Sequence, residues 1–179
     1  VREVFELMEQ PDTGPWSTVR GIIADFLSVR REFAPLIDLA LGEKAQHFVV
    51  NDVEQLRRAL ESRDTTFSGR VSFFPLRQPS IPTAEIITPS HLGVVALAEQ
   101  VVTCENVDLA DLPRRLLART LIVHDLESAR LIRVESPQLR FITLRGELLE
   151  PDGTVTVGTH HAESGILSRK SELRELRSE

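Results

Sequence analysis

The 179-residue sequence has no tyrosine, one tryptophan, one methionine and one cysteine. A single thiol, Cys104, excludes an intramolecular disulfide and a multi-cysteine zinc site. So few Trp and Tyr rings leave little on which the bases of a single strand can stack. No apolar run approaches the roughly 20 residues of a membrane-spanning helix, so no membrane association is expected. Arg2, Glu3 and Glu6 near the start are incompatible with a signal peptide. One cysteine without a secretion signal points to a reducing, cytoplasmic compartment. The chain opens on Val1 rather than Met, which reads as a processed or excised segment. Also missing are the GxxxxGK phosphate loop, the GxGxxG fingerprint and the GxSxG nucleophile elbow, so no cofactor is expected. Basic charge is scarce too. Lys and Arg number 21 against 27 Asp and Glu, a net charge of −6, which excludes a generally basic surface that coats nucleic acid.

What is present is the composition of a folded domain, 41% hydrophobic and 27% charged. The middle of the chain contains a repeat. Gly21-Ile22-Ile23-Ala24 matches Gly93-Val94-Val95-Ala96. Phe48-Val49-Val50-Asn51-Asp52-Val53-Glu54 matches Leu121-Ile122-Val123-His124-Asp125-Leu126-Glu127, and Arg70 to Phe74 is similar to Arg140 to Leu144. Three matches in one order imply two related subdomains of about 75 residues, too long for a solenoid unit. In each half a short β-branched run reads as a buried strand. Asn51 or Asp52, and Asp125, are placed to start the helix that follows, and Arg70–Leu76 and Arg140–Leu144 return as strands. Strand, helix and strand suggest a crossover unit, although the connection is short for a parallel pair. Pro75, Pro79, Pro82 and Pro89 mark a linker between the halves. Ala34–Leu41 reads as a helix ended by Gly42, whereas Val19–Leu27 fits helix or strand.

After the second half comes a hairpin pattern: Glu147-Leu148-Leu149, the turn residues Pro151-Asp152-Gly153, then Thr154-Val155-Thr156-Val157 beside Gly158. Nothing later in the sequence looks like a strand to pair with Thr154–Gly158, and an unpaired edge is a template for another chain. Both termini have helical spacing: Val1, Val4, Phe5 and Met8 at one end, and Ile166, Leu173 and Leu176 at the other. They read either as helices packed on the domain or as stumps of a longer antiparallel coiled coil.

Candidate chemistry is thin. His160, His161 and Glu163 lack evident further metal ligands. His124-Asp125 aligns with Asn51-Asp52, so its shared member is a helix-start Asp rather than an acid–base pair. Arg57 with Arg58, and Arg114 with Arg115, are local basic clusters that could touch DNA weakly and in a salt-sensitive way.

Several ordered stretches resemble the hinge domain of structural maintenance of chromosomes (SMC) proteins of bacterial type. They are Val19–Asp25, Leu41–Gln46 with Phe48–Asp52, Thr120–Ala129, Phe141–Val155 and Gly165–Leu173. The resemblance implies a mixed α/β (α+β) fold of two pseudo-symmetric subdomains between antiparallel coiled-coil stumps. The expected division is 1–10 and 166–179 as stumps, 11–82 as subdomain I and 83–165 as subdomain II. It also implies a non-enzymatic dimerisation hinge of a nucleoid-associated chromosome segregation ATPase whose nucleotide-binding heads lie elsewhere. The implied partner is a second SMC chain, as a homodimer, with weak DNA contact through Arg57, Arg58, Arg114 and Arg115. The implied interface residues are Thr154, Val155, Thr156, Val157, Gly158 and Gly165. The sequence departs from the family pattern here. Val157-Gly158 stands where Gly-Gly is common, His160, His161 and Glu163 replace further glycines, and Arg145 stands where an acidic residue is usual. Loss of glycine permits a weaker or rearranged interface. The competing reading is a small βαβ-type ligand-binding or enzymatic domain.

Overall fold

The computed structural model describes residues 1–9, 14–62, 67–77, 86–158 and 165–178. In chain order the elements begin with α1 (Arg2–Met8), β1 (Val19–Ile22), the single turn α2 (Ile23–Phe26), β2 (Leu27–Val29) and α3 (Ala34–Leu41). They continue with β3 (Phe48–Val50), α4 (Val53–Glu61), β4 (Phe73–Pro75), β5 (Val94–Leu97), β6 (Val102–Cys104) and α5 (Leu112–Leu117). Last come β7 (Thr120–Val123), α6 (Leu126–Glu135), β8 (Arg140–Thr143), β9 (Leu148–Leu149), β10 (Val155–Thr156) and α7 (Ile166–Ser178). Among the described residues no helix is long and apolar enough to cross a membrane. The fold is α+β.

The chain forms two compact units. The first comprises Val1–Asp25 and Glu43–Thr83. Its sheet has the order β1-β3-β4, with β1 antiparallel and β4 parallel to β3. The strand β3 is buried throughout, as three consecutive apolar residues in a central strand must be. Phe48, fully buried, meets the edge of the Phe5 ring at 5.2 Å and the Phe73 ring at 6.0 Å. Val4 of α1 is also fully buried and joins Trp16, Val19, Phe48, Val50, Leu56 and Ala59 in this core. The N-terminal helix is thus part of the first unit's core.

The second unit comprises Phe26–Gly42 and Ala84–Glu179. Its larger sheet has the order β10-β9-β8-β7-β5, and a two-stranded ladder pairs β2 with β6. The strand β7 is buried at every residue and parallel to β8, so the crossover through α6 is parallel despite its short connection. Leu121, Val123, Ala129, Ile132, Phe141 and Leu149 close the core between α6 and the sheet.

Two features differ from the sequence expectation. Phe26–Gly42, expected in subdomain I, packs in the second unit, and the ambiguous stretch from Val19 resolves into β1, α2 and β2. The repeat is real but its flanks slip. Val19, Gly21 and Ile22 pair with Val50, Val49 and Phe48, while Val94, Ala96 and Leu97 pair with Val123, Ile122 and Leu121. The equivalent of Val19 is therefore Val94, three residues away from the alignment that matches Gly21 with Gly93. Likewise Phe73 pairs with Phe48 as Phe141 pairs with Leu121, two residues from the alignment that matches Arg70 with Arg140. Only the central strand and the helix start coincide in both sequence and structure, because there packing on both faces admits no slip.

Replacing a fully buried ring in this core is predicted to be costly. Phe141→Ala should lower stability to urea by about 3–5 kcal/mol, whereas Val155→Ala, at a half-exposed position, should change it by less than about 0.5 kcal/mol. Equal effects of the two would contradict the assigned core.

Candidate functional site

The hairpin β9–β10 ends the larger sheet. Leu148 and Leu149 of β9 are buried, and β10 pairs with them through Val155 opposite Leu149 and Thr156 opposite Leu148. The turn is set by its own polar groups. Gly153 N–H donates to the Glu150 carbonyl at 2.9 Å, and Thr154 N–H donates to the Asp152 carboxylate at 2.8 Å. That backbone hydrogen bond holds the Asp152 carboxyl below the usual carboxylate range. Arg133 of α6 donates to the Pro151 carbonyl at 2.9 Å, tying the turn to the helix.

Beyond the turn the chain is open. Val155 is 50% exposed, Val157 is 65% exposed, and Thr156 between them is exposed. Val155 shares the α6-covered face of the sheet with Leu149, so an apolar side chain sits at the sheet margin without cover. Among the described residues β10 has a strand neighbour on one side only. Gly158 has φ of +138°, a conformation that residues with a Cβ rarely adopt, and nothing lies within 4 Å of where a Cβ would be. Thr154, Val155, Thr156, Val157 and Gly158 therefore form one continuous exposed edge. Gly165, at the start of α7, lies against the Asp38 carboxylate of α3. His160, His161 and Glu163 lie outside the described residues.

The arginine pairs belong to different units. Arg57 and Arg58 project from α4 in the first unit, where Arg57 pairs with Glu54 and Glu61 and Arg58 lies 3.7 Å from Glu54. The Arg57 hydrogen bond holds the Glu54 carboxyl below its ordinary range. Arg114 and Arg115 lie in the last turn of α5 in the second unit. The acidic residues at the helix starts act as caps. Asp52 accepts from the N–H groups of Glu54 and Gln55, and Asp125 accepts from Ser128 N–H at 2.8 Å. It is Asp52, not Asn51, that caps α4, and Glu54 turns to Arg57 instead of closing a capping box. His124 is exposed beside Asp125. Among the described residues no cluster of His, Cys, Asp and Glu is arranged to hold a metal ion.

The cap on α6 sets an acid limit. The bond from Ser128 N–H holds the Asp125 carboxyl below its ordinary value, so its stabilising effect is complete above that ordinary value and is lost as pH falls through the lowered one. Asp125→Asn should flatten the acid limb of a urea-midpoint profile measured below about pH 4. An unchanged acid limb would contradict the assigned role.

The family model described as SMC proteins Flexible Hinge Domain matches residues 17–133. The chain is 38% identical over 162 residues to the chromosome partition protein Smc of Rhodopirellula baltica, covering 89% of this chain and 13% of that protein. The SMC hinge domain of Geobacillus stearothermophilus, solved as an asymmetric dimer, superposes with a TM-score of 0.79 at 26% identity, over 99% of this chain and 72% of that one. The SMC hinge domain of Pyrococcus furiosus does so with a TM-score of 0.65 at 26% identity, over 88% and 79%.

Proposed function

This chain belongs to the SMC flexible hinge domain family, and on that footing we propose that it joins two SMC chains of a chromosome partition protein at the tips of their arms. The observation that carries the reading is the open edge Thr154–Gly158. A strand with a neighbour on one side has main-chain donors and acceptors facing outward, and a second strand satisfies them directionally. The half-exposed Val155 and exposed Val157 add apolar area that a partner strand covers. Two such contacts related by a two-fold axis close a homodimer. This chain spans about 13% of the Smc relative's length, so the arms, the ATPase heads and the nucleoid setting belong to the same proposal.

The reading does not extend to DNA. Glu54 and Glu61 offset the charge of Arg57, and Arg58 shares Glu54. Nor does the competing enzymatic reading gain support, since Asp125 is engaged as a helix cap.

Sedimentation equilibrium of the 179-residue chain should give a concentration-dependent dimer. Val157→Pro, which removes a main-chain N–H on the side of the edge strand turned away from β9, should weaken it at least about tenfold while leaving the far-ultraviolet circular dichroism unchanged. A strictly monomeric chain at high concentration, or a dimer indifferent to the proline, would refute the reading.

A further inference from the structure

The segment Phe26–Gly42 sits in the second unit although the residues before and after it belong to the first. Its role there is visible in α3. Asp38, 8% exposed, directs its carboxylate at the first turn of α7 from about 130 residues away. Oδ1 accepts from Leu167 N–H at 2.9 Å. Oδ2 accepts from Ser168 N–H at 2.9 Å and from Ser168 Oγ at 2.6 Å. The opening N–H groups of a helix have no partner within it, and here a charged group from another helix supplies one. Gly165 makes room for it. A Cβ at that position would come within 2.0 Å of Asp38 Oδ2. Lys170 Nζ donates to the Leu27 carbonyl at 2.8 Å and Arg174 donates to the Val29 carbonyl at 3.0 Å, so the same segment grips α7 further along.

The other end of α3 is tied to the larger sheet. Arg140 of β8 donates from Nε to Glu150 at 2.8 Å and from Nη1 to the Ala40 carbonyl at 2.5 Å. Ala40 lies in the last turn of α3, where helix carbonyls lack internal partners. Glu150 follows β9 directly, beside the turn of the hairpin that carries the exposed edge. Each junction is a hydrogen bond with a charged member, the class least tolerant of a lost partner.

We propose that α3 is a coupling element: through Arg140 at its end and Asp38 at its middle, it links the turn end of the β9–β10 hairpin to the first turn of the helix α7. Asp38 and Arg140 are positioning residues, and Gly165 serves this link. The inference extends the dimerisation reading by connecting its interface hairpin to the terminal helix, but its test does not require a dimer.

The test is amide hydrogen exchange in α7, at Leu167–Lys170, on the whole chain at high dilution. Asp38→Asn should speed exchange there about tenfold or more, with the β7 and β8 amides unchanged. Arg140→Met, which keeps the packing stem, should speed the same amides about threefold although Arg140 makes none of the hydrogen bonds to α7 described above. In the Asp38→Asn background Arg140→Met should add nothing. Should Arg140→Met fail to fold, Glu150→Gln should act in the same direction more weakly. Gly165→Ala should mimic Asp38→Asn, and should cost little more when Asp38 is already Ala. No effect of the hairpin-side variants on α7, or an equal effect in both backgrounds, overturns the link. A chain that never dimerises but shows the non-additivity refutes the dimer and leaves the link standing. A chain that dimerises but shows additive effects does the reverse.

Discussion

A β-strand presents hydrogen-bonding groups on both sides, and every sheet must settle what happens at its last strand. In the larger sheet of the second unit this constraint falls on β10 at one end and β5 at the other, and of the two β10 is the fully exposed one. The inner strands β7 and β8 are buried, paired on both sides and locked in register by a core that includes Leu121, Phe141 and Leu149. The last strand is short, polar at Thr156 and apolar at Val155, with Gly158 in a left-handed conformation just beyond. A monomer leaves this strand to water. A second chain can satisfy it with the same chemistry that built the rest of the sheet.

The two units express one plan to different extents. Each has a buried central strand, an antiparallel neighbour with an irregular register, a capped helix and a parallel return strand. The second unit then adds β9 and β10, whereas among the described residues the first unit's sheet ends at β4. The second unit also takes in Phe26–Gly42, and with it the carboxylate that opens α7. The added hairpin and the captured α3 meet through Arg140, so the unit's two departures from the common plan are physically connected.

Much of this was legible in the sequence, and the limits have physical causes. The strand–helix–strand units were readable because burial and capping are local: Phe48–Val50 before Asp52, and Leu121–Val123 before Asp125. The hairpin was readable from Pro151-Asp152-Gly153, since turn chemistry acts over a few residues. The helix Ala34–Leu41 was found, but not its unit, because Asp38 meets partners at Leu167 and Ser168, far along the chain. For the same reason nothing near Gly165 in sequence reveals the carboxylate it accommodates. The Gly21 and Gly93 match misled by three residues, because register is set by pairing rather than by residue likeness. Arg57 and Arg58 read as a local basic cluster, and the pairing of Arg57 with Glu54 and Glu61 was signalled only by their helical spacing.

The most direct measurement is amide hydrogen exchange along β10 as the protein is taken from dilute to concentrated solution. Edge pairing predicts that the outward-facing amides of Val155 and Val157 become protected in step with dimer formation, while those of β7 and β8 stay equally protected throughout. A dimer in which Val155 and Val157 exchange as fast as in the monomer would show that the chains join elsewhere, and would contradict the central claim.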